Sequence, residues 1–275
     1  MKRPPVTLER STALVTGAGS GIGRAAAHAL AARGATVLCA DIDDGAATRT
    51  VDECTVRGGA RHQAYRLDVA DRVEVDAVAK RIDGEHGALS VLVNNAGVGM
   101  TGPYSRMTAD EWAFIRSINL DGVVNGCSAF TPPMLSAGRG QVVNVSSGLA
   151  FVATAGESAY AATKAAVLQL SLCLRADWAA QGVGVTAICP GFIDTSIPRN
   201  ARFTGGQEDP GVRERLVKGF SRAHPPEKVG VAIIHAIATN RAMVPVGFES
   251  VLGWYAHRYM PIALQQALAR LGRGH

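Results

Sequence analysis

Tyr160 and Lys164 stand four residues apart in Tyr160-Ala161-Ala162-Thr163-Lys164-Ala165-Ala166-Val167. The Ala-rich run predicts a helix, and that spacing puts both side chains on one face. A free phenol loses its proton near pH 10, and bringing that to about 7 takes roughly 4 kcal/mol at about 1.4 kcal/mol per unit. An ammonium about 4 Å away in an effective dielectric of about 20 supplies that order of magnitude. Lys164 therefore suits Tyr160 to general acid–base work near neutral pH. Taken alone, the pair is also what a surface helix with a half-buried aromatic carries.

A second group of residues is built to bind. Thr16-Gly17-Ala18-Gly19-Ser20-Gly21-Ile22-Gly23 follows a β-branched run and opens the helical Arg24-Ala25-Ala26-Ala27-His28-Ala29-Leu30. Without Cβ atoms this turn lets the backbone approach a pyrophosphate, and the unpaired N–H groups and dipole of the helix favour its charge. Glycines also make ordinary tight turns, but their place between strand and helix argues for the phosphate reading. Asp41 lies 18 residues past Gly23, close to the spacing at which an acid reaches an adenosine ribose and accepts from both hydroxyls. A carboxylate there repels a 2′-phosphate, and neither Ser20 nor Ile42 is basic, so NAD is the expected cofactor rather than NADP. Asp43 and Asp44 follow directly, which keeps a solvated turn aspartate as the competing reading.

The elements that must carry these groups alternate. Seven strands are predicted at Thr12 to Thr16, Thr36 to Asp41, Gln63 to Asp68, Val91 to Asn94, Gln141 to Ser146, Gly184 to Cys189 and Ala242 to Val246, with helix-compatible stretches between. That pattern implies a single α/β domain over residues 1–275, a doubly wound, mainly parallel sheet with helices on both faces. Residues 196–228 lapse into a polar, Gly- and Pro-punctuated stretch with a short helix through Leu216 and Phe220, read as a substrate lid. Residues 248–275 form an extension, read as a helix with Pro261 in its first turn.

The order and spacing of several motifs resemble the short-chain dehydrogenase/reductase family over nearly everything from Thr12 to Thr195. They are Thr-Gly-x-x-x-Gly-x-Gly at 16 to 23, Asp68-Val69, Asn94-Asn95-Ala96-Gly97, Asn119 in Ser117-Ile118-Asn119-Leu120, Ser147, Tyr160, Lys164 and Pro190-Gly191. Ser147 lies 13 positions before Tyr160, the family's spacing, which favours it over Ser146.

The resemblance implies an oxidoreductase moving a hydride between a secondary alcohol or ketone and nicotinamide. In it Tyr160 exchanges the hydroxyl proton, Ser147 steadies the substrate oxygen, Lys164 lowers the phenol pKa and holds the nicotinamide ribose, and Asn119 positions a water. It also implies that Gly17, Ser20, Gly21, Ile22 and Gly23 cradle the cofactor, that Asp41 holds its ribose and that Asp68 and Val69 meet the adenine. Asn95 and Gly97 would line the ribose side, Pro190 and Gly191 would also bind the cofactor, and Ile193 and Thr195 would contact the carboxamide. A homodimer or homotetramer is expected by the same analogy. The long ending is similar to a subset that handles lipophilic alcohols, among them steroid- and retinol-type enzymes and a short-chain domain fused to an epoxide hydrolase in actinobacteria. Trp254, Tyr255, Tyr259, Met260 and Ile262 suit the roof of an apolar pocket, a membrane surface, or packing within the domain or an interface.

Other classes lose their signals. The net charge of +5 and pI near 9.1 come from dispersed basic residues with only 5% aromatics, a poor nucleic-acid groove. Five scattered cysteines without a C-x-x-C pair fit reduced thiols in a cytosol, and seven histidines in no metal spacing imply no metal. No signal-peptide core or long apolar span is read, so a cytoplasmic protein is expected. Two further readings use the same residues: an NAD-binding regulatory module without turnover, and an NADP-dependent ketoreductase, which Asp41 disfavours.

Overall fold

The computed structural model describes residues 6–56, 59–206 and 223–271, with 211, 213, 214, 218 and 220 between the last two stretches. Seven parallel strands form one sheet: β1 (Thr12–Thr16), β2 (Thr36–Asp41), β3 (Gln63–Arg66), β4 (Val91–Asn94), β5 (Gly140–Val145), β6 (Val183–Pro190) and β7 (Met243–Val246), in the order β3-β2-β1-β4-β5-β6-β7. The chain leaves β1 toward β2 and β3 and returns to place β4 on the other side of β1. The carboxyl ends of β1 and β4 therefore flank a crevice, the place where such sheets bind ligands.

Successive residues of β1 face opposite layers, as the two-residue period of a strand requires. Ala13 and Val15 join α1 (Gly21–Ala31), α2 (Asp44–Glu53) and α7 (Pro226–Thr239) in one core, through Ala26, Leu30, Ala47, Val229 and Ile233. Leu14 joins α3 (Arg72–His86), α5 (Gly122–Ser136) and α6 (Ser158–Trp178) in the other, through Val75, Ile82, Val123, Phe130 and Val167. Burial on both faces explains why the strands read as continuous apolar runs. Leu92 of β4 is fully buried in the second core, so Leu92→Ala is expected to cost about 2–5 kcal/mol through lost burial and a residual cavity. The urea midpoint measures it, and an unchanged midpoint would contradict this packing.

The third strand ends two residues earlier than its sequence pattern predicts. Asp68 Oδ1 accepts the Ala70 amide at 2.9 Å and Asp71 caps α3, so the chain turns there. The extension is two helices, α8 (Phe248–Tyr259) and α9 (Ile262–Leu271), and not one. Pro261 lies between them rather than inside a first turn: its carbonyl accepts the Leu264 and Gln265 amides, while Gln265 Nε2 donates to Met260 O at 2.8 Å. Proline lacks the N–H that a continuing α8 would need.

Within 196–228, Ile197–Asn200 makes one helical turn and Arg202–Phe203 pairs in parallel with Met100–Thr101, a small ribbon absent from the sequence reading. Leu216 lies outside the described residues. Phe220 stands at a turn, edge-on to the Phe192 ring at 5.3 Å.

Candidate active site

The glycine turn follows β1 as expected. Gly17 and Gly21 have φ of +64° and +50°, a region that favours glycine. A Cβ on Gly23 would lie 2.0 Å from Gly17 O, and one on Gly17 would lie 2.8 Å from Ala96 Cα. Ser20 sits at the N-cap of α1 without using its side chain, and no acidic residue occupies the first turn. A helix end left uncapped in a cradle that Cβ atoms would fill fits a pyrophosphate. Ile22 is half-buried against the first core.

Asp41, at the end of β2, is held by main-chain donors: Gly19 N to Oδ2 at 2.8 Å and Asp43 N to Oδ1 at 3.0 Å. Its neighbour Ile42 is 61% exposed. Asp68 closes its turn, and Val69 is buried against Gly122 while its carbonyl accepts from Asn125 Nδ2. Asn95 braces the loop rather than pointing away from it, since its Nδ2 donates to Thr16 O at 2.9 Å and Gly17 O at 3.1 Å. A Cβ on Gly97 would stand 3.2 Å from both Asn119 Oδ1 and Lys164 Nζ, so this glycine lets the two side chains meet the loop.

Between α4 (Ala109–Arg116) and α5 the helix widens to a π turn over Ser117–Asp121. Asn119 is wholly buried there. Its Oδ1 accepts the Val98 amide at 2.8 Å and its Nδ2 donates to Val98 O at 3.0 Å, so its side chain locks the loop after β4.

Ser146 and Ser147, after β5, have different duties. Ser146 Oγ donates to Lys164 O at 2.7 Å, whereas Ser147 Oγ accepts only the Leu149 amide and lies beside the Tyr160 hydroxyl. Tyr160 and Lys164 project from one face of α6, and Lys164 Nζ donates to Val145 O at 3.0 Å and lies 5.8 Å from the Tyr160 ring centroid. Burial pushes the phenol up to about 12, which the Ser147 hydrogen bond opposes and the charge of Glu157 reinforces. The Lys164 ammonium, 3% exposed, is pulled down to about 8 by the same desolvation. Burial is the largest cause of both shifts. With protein groups alone, desolvation outweighs the attraction between them.

The strap after β6 runs to the glycine turn. Pro190 and Gly191 end the strand, with Gly191 N on Val246 O at 2.8 Å. Ile193 is buried in the core and bridges His224; because Phe192 O and Asp194 N make the bonds, its own N–H and C=O point the other way. Thr195 reaches the glycine turn, its Cγ2 lying 3.1 Å from where a Gly21 Cβ would be.

Glycine cradle, serine, tyrosine and lysine thus meet at the carboxyl end of one parallel sheet. The model of the short chain dehydrogenase family matches residues 11–204. The chain belongs to that family. It is 41% identical over 263 residues to "Probable oxidoreductase EphD" of Mycobacterium tuberculosis, a match that covers 94% of this chain and 44% of that protein. The chain thus spans less than half the length of that relative. Among solved structures it resembles a short-chain dehydrogenase from Streptomyces avermitilis, with TM-score 0.83, 33% identity and coverage of 96% and 98% of the two chains. A short chain dehydrogenase/reductase from Burkholderia phymatum in complex with NAD matches with TM-score 0.80 and 29% identity, over 94% and 96% of the two chains.

Three further residues around the site escaped the sequence reading. Arg24 Nη2 donates to Gly19 O at 2.6 Å, which ties α1 back onto the glycine turn, while its Nε is buried without a partner. Glu249 of α8 accepts the Phe192 amide at 2.7 Å and pairs with His224 at 3.4 Å, which joins the extension to the strap. Glu157, directly before α6, accepts the Thr101 hydroxyl at 2.6 Å. Only Arg24 carried a signal, a basic residue in the first turn of a helix, where the dipole disfavours it. Among the described residues no group of three or more His, Cys, Asp or Glu is placed to hold a metal ion, and no helix is long and apolar enough to cross a membrane.

Proposed function

We propose that this short-chain dehydrogenase uses NAD to interconvert a mainly hydrophobic secondary alcohol and its ketone. The observation that carries the reading is the division of labour between the serines. With Ser146 spent on Lys164 O, Ser147 keeps its hydroxyl beside Tyr160, and the pair forms a donor and proton carrier for one substrate oxygen. Bound NAD would supply the hydride acceptor and, by the cationic charge of its ring, draw the phenol down from about 12. Tyr160 takes the alcohol proton in oxidation and returns it to the carbonyl oxygen in reduction, while Ser147 holds that oxygen. Lys164 fixes the ribose side of the cleft, and its buried amine, titrating near 8, is suited to pass the proton on toward the π turn at Asn119. Gly17, Ser20, Gly21, Ile22 and Gly23 would hold the pyrophosphate, Asp41 the adenosine ribose, and Ile193 and Thr195 the carboxamide.

Support for an apolar substrate comes from the extension. A cavity of about 170 Å³ lies between the loop that leads from Ser147 to Tyr160 and the last two helices, lined by Val152, Ala153, Thr154, Ala256, Met260, Gln265 and Ala269. None of the catalytic candidates lines it, so on this reading it takes the far end of a substrate rather than its carbinol. Activity is tested by NADH formation, and separately NADPH formation, over secondary alcohols of graded length. Filling the cavity with Ala256→Leu should raise KM several-fold for long apolar alcohols and leave short ones unchanged; an equal effect on both would sink the apolar reading. Cofactor binding without turnover of any alcohol or ketone would favour the regulatory module instead.

A further inference from the structure

Glu157 ends the loop before α6 and stands one helical turn ahead of Tyr160. Its Oε1 accepts the buried Thr101 hydroxyl at 2.6 Å, and the preceding Gly156 O accepts the Gly102 amide at 2.8 Å. Thr101 belongs to the ribbon with Arg202–Phe203, which joins the loop after β4 to the 196–228 segment. The carboxyl therefore stitches the start of the Tyr160 helix to the entrance of the proposed lid. Accepting one hydroxyl does not require an acid, and Glu157 forms no ion pair among the described residues. A carboxyl kept mostly from water without a cation is costly, and such groups gather where their charge state has work to do.

We propose that Glu157 is a positioning residue of the reaction, which holds the Tyr160 helix on the Met100–Thr101 ribbon and acts by its charge on the phenol. The proposal rests on the reading of Tyr160 as the proton carrier. Among the described residues, charged groups of the neighbouring elements are engaged elsewhere. On α6, Lys164 is turned to Val145 O; on the ribbon, Arg202 lies over the Phe114 ring at 3.5 Å; on α4, Glu111 is held by the Thr108 and Gly205 amides. Burial lifts the Glu157 carboxyl to about 7 while Thr101 pulls it back, so its charge changes in the working range. When ionised it disfavours phenolate and pushes Tyr160 up.

Glu157→Gln keeps a carbonyl acceptor for Thr101 and removes the charge at every pH. The rising limb of kcat/KM for alcohol oxidation should then move to lower pH by about half a unit or more, with KM unchanged. Glu157→Ala should move that limb alike, raise KM several-fold and speed hydrogen exchange at the Gly102 amide, which Gln should leave slow. A Gln profile that superimposes on the parent overturns the charge role, and equal Gly102 exchange in Ala, Gln and parent overturns the positioning role. Should the Ala variant fail to fold, the Gln profile still decides. Turnover surviving in Tyr160→Phe would instead sink the underlying reading, which separates the two failures.

Discussion

Tyr160→Phe abolishes turnover, by at least about 10³-fold, and leaves the fold and the affinity for NAD as they were. The ring is half-buried and packs with Val98, Met107 and Phe114 around Met100 and Ile115, contacts that phenylalanine keeps. What disappears is one hydroxyl, the group that stands beside Ser147 and exchanges the alcohol proton under the proposed mechanism. General acid–base groups contribute about 10²–10⁴-fold, and Ser147 has a hydroxyl but no partner to carry its proton away. The single-turnover rate of NADH formation checks the chemistry, and calorimetric titration with NAD checks binding. Residual activity above a tenth of the parent would remove Tyr160 from the reaction.

Asp41→Ser exchanges the cofactor preference. The carboxylate is held rigid by Gly19 N and Asp43 N, so its remaining lone pairs are oriented before the ribose arrives and little ordering is lost on binding. Hydrogen bonds to a charged group are worth about 1.5–3 kcal/mol each; removal of two should lower kcat/KM with NAD by at least about 100-fold. The same change lifts the repulsion against a 2′-phosphate, and the serine hydroxyl can donate to it, so the ratio of NADP to NAD use rises by more than NAD use falls. Measuring kcat/KM for both cofactors in parent and variant decides it. A parent that uses NADP as readily as NAD, or a ratio that Asp41→Ser leaves unmoved, would contradict the ribose assignment.

The chemistry-bearing residues are legible in the chain because they depend on local spacing. Four residues on a helix put Tyr160 and Lys164 on one face whatever surrounds them. A glycine turn between a β-branched run and an Ala-rich helix has few other conformations, and the apolar runs of a doubly covered parallel strand identify the sheet. Those signals also located all seven strand starts to within a residue of Thr12, Thr36, Gln63, Val91, Gly140, Val183 and Met243.

Contacts between distant segments are written in no local pattern. The Thr101–Glu157 bond spans 56 residues, the Phe192–Glu249 bond 57, and the pairing of Met100–Thr101 with Arg202–Phe203 about a hundred. Two residues cannot display a strand period, so that ribbon left no trace in the sequence. The acidity of the site belongs to the same class. Spacing alone puts an ammonium near a phenol, but burial governs whether attraction or desolvation wins, and here it raises Tyr160 and lowers Lys164. The sequence by itself determined which side chains share a face and which turns can approach a phosphate. Only the tertiary structure decided which hydroxyl is already engaged, which residue holds Glu157 and how Glu249 of the extension reaches Phe192, because these follow from the packing of elements far apart in the chain.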